Sequence, residues 1–382
     1  KVGGGSGGEN IQVFVRARPP ADKVESDFLT IDADDKRKLT IKDPKGIKMA
    51  KHSEVSFQFD HLFWSDASQD AVFDAMVMPQ VDHVLTGYNC CCFAYGQTGS
   101  GKTYSMFGED AEVRGMIPRS VESFFKKLES LSATKEVAMV CSFLEIYNDQ
   151  IRDLGKAYLV AMGAEESHSM ALHAKTSDIF ESLAGKRGNP YFGPAFARAG
   201  AGGAEVAARP GVQQISDEFN TMNYEIREDV EGNVFVQDLS MVPVNTLEEV
   251  SSMINMGVKV RATHETSMNA NSSRSHTVFT ITIIQKDRET GDTITGMLNL
   301  VDLAGSERLK KTESQGVRLK EALHINTSLT ALSKVIMSLD PSSDSSHVPF
   351  RDSKLTRILQ NSLGGNSFTT VEMSELNVKE NV

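Results

Sequence analysis

Gly96-Gln97-Thr98-Gly99-Ser100-Gly101-Lys102-Thr103 stands directly after a short continuous apolar run, Cys90 to Tyr95. A run of that length, bounded by a Gly-rich segment, reads as a buried strand of a parallel sheet leading through a turn into a helix. The eight residues match the pattern G-x-x-x-x-G-K-[ST]. Glycines let successive backbone N–H groups turn inward around phosphate oxygens, and the following helix adds the positive end of its dipole. Gly96, Gln97, Thr98, Gly99, Ser100 and Gly101 then form the cradle. Lys102 reaches the β- and γ-phosphates, and Thr103 offers its hydroxyl to Mg2+. The pattern alone says nucleoside triphosphate. No N-K-x-D guanine reader occurs in the sequence, which favours ATP.

On either side of this segment, strand and helix patterns alternate. Ile11, Val13 and Val15 mark a first strand that ends at Arg18-Pro19-Pro20, and the charged stretch from Asp32 to Lys51 before Val55-Ser56-Phe57-Gln58-Phe59 reads as a hairpin of exposed strands. Ser65 to Gln69 offers a helix start, with Val72, Phe73, Met76, Val77, Val84 and Leu85 following at helical spacing. A helix over Pro118 to Leu131 precedes a strand over Val137 to Tyr147. Thr277 to Ile284 and Met297 to Val301 flank a turn at Thr290-Gly291-Asp292, and Leu329, Leu332, Ile336 and Leu339 share a helix face. The expected fold is α/β: a P-loop NTPase sandwich with a central, mostly parallel twisted sheet flanked by helices on both faces.

A second polar landmark is Asn299-Leu300-Val301-Asp302-Leu303-Ala304-Gly305-Ser306-Glu307. A carboxylate at the C-terminal end of a strand is where a P-loop enzyme holds Mg2+ through water, which assigns Asp302. The Gly305 N–H is then placed to touch a γ-phosphate, a contact that hydrolysis removes. Asn269-Ala270-Asn271-Ser272-Ser273-Arg274-Ser275-His276 is a dense polar cluster before another apolar strand; by itself it reads equally as a Ser/Asn-rich connection.

Composition limits the partners. The chain has 382 residues and a formal charge of −11, which argues against a general nucleic-acid binder. Any attraction to an acidic partner must come from a local basic patch. No run of about 20 apolar residues suggests a membrane span. Cys90, Cys91, Cys92 and Cys141 have neither zinc-site nor disulfide spacing and read as small buried residues in a reducing compartment. Residues 1–8 read as a Gly/Ser-rich flexible linker.

Taken in order, G-Q-T-G-S-G-K-T, N-x-x-S-S-R-S-H and D-L-A-G-S-E, with Arg16-Ala17-Arg18-Pro19 as an R-x-R-P motif, resemble the nucleotide-binding set of the kinesin motor domains. The resemblance covers residues 9–371. It implies that Ser273 joins Thr103 and Asp302 around Mg2+, that Ser272 and Ser275 help to hold the γ-phosphate and the attacking water, and that Arg274 and Glu307 pair to close two switch loops over ATP. It also implies that Arg16, Arg18, Pro19 and Tyr104 border the base. Phosphoryl transfer is mostly positioning and charge stabilisation, so a closed polar cage suffices.

The same resemblance turns Lys310, Lys311, Arg318, Lys320, Arg351, Lys354 and Arg357 into a microtubule-binding face, with His347 to Arg357 close to the family pattern. Tubulin is acidic, so such a face gives an oriented, salt-sensitive attraction. The implied activity is Mg-ATP hydrolysis, stimulated by microtubules and coupled to movement, in the cytoplasm on the cytoskeleton. A microtubule-binding or regulatory module with little motility is the alternative, and an unrelated P-loop ATPase a distant third.

Two stretches depart from the pattern. Residues 155–222, rich in Ala and Gly, read as an atypical, partly flexible insertion with a short helix around Ser177 to Ala184. Residues 372–382 read as an atypical tail, because Glu372-Met373-Ser374-Glu375 fits a buried central strand poorly.

Overall fold

The computed structural model describes residues 11–19, 29–32, 34–42, 54–110, 112–162, 224–230, 232–263, 274–306, 317–340, 343, 347–364 and 367–375. Its centre is a nine-stranded sheet built on Asn89–Tyr95 (β6), the apolar run before the Gly-rich turn. Five of its seven residues, Cys90 to Ala94, are buried, as a strand covered on both faces requires. The cysteines are buried strand residues, and burial raises the thiols of Cys90 and Cys92 to about 12.

β6 lies between Thr293–Asp302 (β13) and Ser367–Glu375 (β14), both parallel to it. Ile11–Ala17 (β1) and then His61–Phe63 (β5) extend the sheet in parallel beyond β14. On the other side His276–Asp287 (β12), Lys135–Tyr147 (β7) and Val242–Val244 (β11) continue it antiparallel, with Gln150–Asp153 (β8) pairing off β7. The expectation of a mostly parallel sheet is therefore corrected to a mixed one. The cause is local. β12 and β13 are joined by a tight turn at residues 288–292, and β7 and β8 by Asn148 and Asp149, both at positive φ. Hairpin connections of this kind force antiparallel pairing, whereas helical crossovers allow parallel neighbours.

Leu29–Ile31 (β2), Lys38–Lys42 (β3) and Glu54–Gln58 (β4) form a separate antiparallel sheet; of the hairpin read over Asp32 to Lys51 only β3 falls within that stretch, with Leu39 buried, and residues 43–51 lie outside the described residues. Val234–Val236 (β10) pairs with Ile226–Glu228 (β9). The helical pattern after Ser65 is two helices rather than one. Gln69–Met76 (α1) is capped by the Ser68 hydroxyl, which accepts from Ala71 N–H at 3.2 Å, and Met78–Leu85 (α2) restarts with Pro79 in its first turn. Proline has no N–H to give to a continuous helix and is at home at a helix start.

Lys102–Met106 (α3) follows the Gly-rich turn. Met116–Leu131 (α4), Leu154–Ala161 (α5) and Leu247–Thr263 (α6) complete one face of the sheet, with Val121, Phe124, Phe143, Met253 and Phe279 in its core. The opposite face packs Val317–Leu339 (α7), Lys354–Ile358 (α8) and Gln360–Leu363 (α9) through Leu329, Leu332, Val335, Leu355 and Leu359. The sequence places all of α5 but Leu154 in the atypical, partly flexible insertion of residues 155–222. In the structure Asp153 caps it by accepting from Lys156 N–H at 3.0 Å. The helix read around Ser177 to Ala184 lies outside the described residues.

The larger correction concerns β14. The boundary at residue 372 falls inside this strand, which runs to Glu375 between β6 and β1. Glu372 is fully buried there. Burial raises its pKa against the pull of Arg16 and of the Ser105 and Ser374 hydroxyls, which donate to its Oε1 at 2.7 and 2.9 Å, while Oε2 is buried without a hydrogen-bond partner among the described residues.

Candidate nucleotide site

The Gly-rich turn is held in the form expected of a phosphate cradle. A Cβ on Gly96 would lie 2.2 Å from the carbonyl oxygen of Ser374, so the loop passes where no side chain fits. Gly101 sits at φ 111° at the start of α3, a conformation that glycine adopts without strain. Lys102 is buried, and its ammonium donates to the carbonyls of Gly96 (2.9 Å) and Gln97 (2.8 Å).

Residues 199 positions apart meet at the end of the two strands. Thr103 Oγ1 donates to Asp302 Oδ2 at 2.7 Å. Asp302 is 3% exposed, and burial raises its pKa against the opposing pull of Arg261, the Thr103 hydroxyl and Lys102. Its second oxygen, Oδ1, is buried without a hydrogen-bond partner among the described residues. A carboxylate oxygen in that position, next to a hydroxyl that accepts no hydrogen bond among the described residues, is a donor set for a small hard cation such as Mg2+.

Behind the carboxylate the chain is tied to the neighbouring loops. Ser306 N–H donates to Gly96 O at 3.1 Å, which brings the segment around Gly305 against the cradle. Ala304 N–H donates to His276 Nδ1 at 3.0 Å, so the ring proton lies on Nε2, which meets Ser328 Oγ on α7 at 2.7 Å. Burial, with Lys102 nearby, depresses His276 to about 3 and keeps the ring neutral. Arg261 of α6 reaches Glu145 Oε1 and Ser275 Oγ, both at 3.2 Å, and Arg152 closes the same buried cluster on Glu145 Oε2.

A groove of about 650 Å3 opens over the cradle, lined by residues 98–103 together with Arg16, Arg18, Pro19, Ala67 and Tyr104 among others. Arg16 lies 5.3 Å from the centre of the Tyr104 ring and donates to Gln69 Oε1 (2.7 Å) and Ser105 Oγ (2.8 Å). Arg18 donates to Gly99 O. Tyr104 is 40% exposed and presents its ring to this space.

The residues expected from the sequence are thus gathered at one place: Arg16, Arg18, Pro19, the cradle from Gly96 to Gly101, Lys102, Thr103, Tyr104, Asp302 and Gly305. Ser275 is buried against Arg261, and Arg274 is half-buried at the start of β12. Ser272, Ser273, Glu307, Lys310 and Lys311 lie outside the described residues. Arg318 and Lys320 belong to the first turns of α7. Arg351 is 78% exposed, whereas Arg357 is 15% exposed and engaged with Glu228 and Gln360. Arg357 is thereby a packed residue rather than a free basic one. Sequence reading gave no role to Gln69, Ser105, Glu145, Arg261, Ser328 or Glu372. His276 was quoted in its motif without one, although a histidine ending a polar cluster before a buried strand is a signal of a satisfied internal bridge.

A Gly-rich turn between a central strand and a helix, a buried lysine, and a threonine in that helix bonded to an aspartate at the end of the neighbouring parallel strand define a P-loop nucleoside triphosphatase fold. The model of the kinesin motor domain matches residues 16–180 and 212–381. The kinesin heavy chain of Neurospora crassa is 37% identical over 370 residues, 96% of this chain, and the kinesin-like protein KIN-14D of Arabidopsis thaliana 38% over 371 residues, 94% of it. The chain spans 32% and 40% of the lengths of these two relatives. A solved structure of a fast kinesin superposes with a TM-score of 0.71 at 35% identity, covering 96% of this chain and 86% of that one. The motor domain of the Kar3-like kinesin from Ashbya gossypii gives 0.67 at 29%, covering 97% and 93%. The chain belongs to the kinesin motor domain family.

Proposed function

We propose that this chain hydrolyses Mg-ATP, that microtubules stimulate the turnover, and that the free energy drives movement along them. The observation that carries the reading is the Thr103–Asp302 pair beside the Lys102 cradle, tied through Ala304 and His276 to α7.

The triphosphate lies in the cradle, where backbone N–H groups and Lys102 neutralise its oxygens. Thr103, Ser273 and, through water, Asp302 would hold Mg2+, which would supply charge stabilisation for the phosphate oxygens. Ser272, Ser275 and Gly305 position the γ-phosphate and the attacking water, and Arg274 with Glu307 closes the cage. The base rests against Arg16, Arg18, Pro19 and Tyr104. Water attacks the γ-phosphorus, its bond to the bridging oxygen breaks, and ADP and phosphate leave. Loss of the γ-phosphate contact at Gly305 moves Ala304, and His276 carries that change to Ser328 on α7.

The track face comprises Lys310, Lys311, Arg318, Lys320, Arg351 and Lys354. On a chain of net charge −11 they form a local attraction for an acidic polymer. This reading places the protein in the cytoplasm on the cytoskeleton, and no helix among the described residues is long and apolar enough to cross a membrane. The alternative of a binding module with little motility drew its support from the atypical tail over residues 372–382, of which the part up to Glu375 belongs to core strand β14.

The test is ATP turnover with and without polymerised tubulin, beside gliding of microtubules over immobilised protein. Acceleration with gliding supports the reading; turnover indifferent to tubulin contradicts it.

A further inference from the structure

Glu372 is fully buried in the central strand and belongs to none of the phosphate-binding groups. Its surroundings have a direction. Arg16 Nη1 donates to Ser105 Oγ at 2.8 Å, and that hydroxyl in turn donates a hydrogen bond to Glu372 Oε1 at 2.7 Å. Ser374 Oγ supports the same oxygen at 2.9 Å. From the other side, Arg16 Nη1 donates to Gln69 Oε1, while Gln69 Nε2 donates to the carbonyl of Tyr104 at 2.8 Å. The guanidinium is thus fixed over the Tyr104 ring by a closed set of bonds whose far end is the Glu372 carboxylate.

We propose that Glu372 is a positioning residue for nucleotide binding: through Ser105 it sets the orientation of Arg16, and so it governs affinity for the adenosine end of the ligand and not for the phosphates. This inference rests on the nucleotide-site reading above. Two features of the site support the division. Arg16 shares the groove with the cradle but donates to Gln69 and Ser105 rather than to a cradle residue, and Glu372 has no hydrogen bond to Lys102, Thr103 or Asp302 among those described. An arginine pre-oriented by charge-assisted bonds loses less freedom when a ring settles against it. A hydroxyl held between a guanidinium donor and a carboxyl acceptor also has its proton direction fixed.

The test titrates ADP and inorganic tripolyphosphate, each with Mg2+, into the whole chain by calorimetry. In Glu372→Val the affinity for ADP is expected to fall about tenfold, while that for tripolyphosphate stays within about twofold. Glu372→Gln keeps an acceptor oxygen and is expected to lie nearer the wild type. Ser105→Ala, which cuts the relay without touching the strand, should reproduce the selective loss even where Glu372→Val does not fold. In an Arg16→Ala background Glu372→Val should cost ADP nothing more. Unchanged ADP affinity in Glu372→Val and Ser105→Ala overturns the inference, and so does an equal loss for both probes, which a general distortion would give. Wild-type protein that binds neither probe contradicts the nucleotide-site reading itself.

Discussion

His276 and Ser328 meet at 2.7 Å, ring Nε2 to hydroxyl, and the other nitrogen of the same imidazole, Nδ1, accepts the Ala304 N–H. One buried ring thereby joins the loop after Asp302 to the middle of α7. Removing it leaves the Ala304 donor buried and unpaired, which costs about 1–3 kcal/mol. His276→Ala is expected to lower the thermal midpoint and to weaken the acceleration of ATP turnover by microtubules more than the basal rate. Thermal melts with paired turnover assays check this.

The same ring gives a pH dependence with a defined sign. Its pKa is depressed from the usual 6.5 to about 3 by burial, so between those values the unfolded chain binds the proton that the folded chain refuses. The stability this residue contributes is complete above pH 6.5 and declines as pH falls toward 3, by at most about 1.4 kcal/mol per unit. Denaturant melts at pH 7.0, 6.0 and 5.0 are expected to show a shallower decline in His276→Gln than in the wild type.

Asp302→Asn keeps the shape but removes the charge that a divalent cation meets. Turnover should fall by roughly 10²–10³-fold. Nucleotide affinity should fall when Mg2+ is present and change little when it is chelated. A titration of Mg2+ at fixed ATP reads both effects.

Glu307→Ala is expected to leave ATP binding largely intact and to abolish most hydrolysis, because the cage no longer closes. Comparing equilibrium nucleotide binding with single-turnover rates separates the two; unchanged turnover refutes the cage.

The basic face divides by burial. Arg351→Ala removes an exposed cation and should weaken microtubule binding, most at low salt, with little change in the melting temperature. Arg357→Ala removes a packed side chain that holds Glu228 and Gln360, and should lower the melting temperature. Cosedimentation at two salt concentrations, next to thermal melts, tests the contrast.

Much of the site was legible because its parts are contiguous. The glycines, Lys102 and Thr103 lie in eight residues, and Asp302 ends a strand whose apolar pattern is plain. What escaped the sequence is long-range compensation. Glu372 looked unfit for a central strand because the residues that satisfy it, Ser105 and Arg16, lie 267 and 356 positions away. Ser374, two positions on, could not by itself announce a buried acid. Strand direction escaped for a related reason. Alternation marks a strand, but only the turns after Tyr147 and Asp287 decide that its neighbour runs backwards. Arg357 reads as one more cation in a basic run until Glu228, 129 residues earlier, is seen beside it.

The account depends most on where the triphosphate sits. A crystal structure with Mg2+ and a non-hydrolysable ATP analogue tests this directly. The account predicts the terminal phosphate against Lys102, the metal beside the Thr103 hydroxyl and the base along Arg16 and Tyr104. A nucleotide bound elsewhere, with this cradle free, would contradict it.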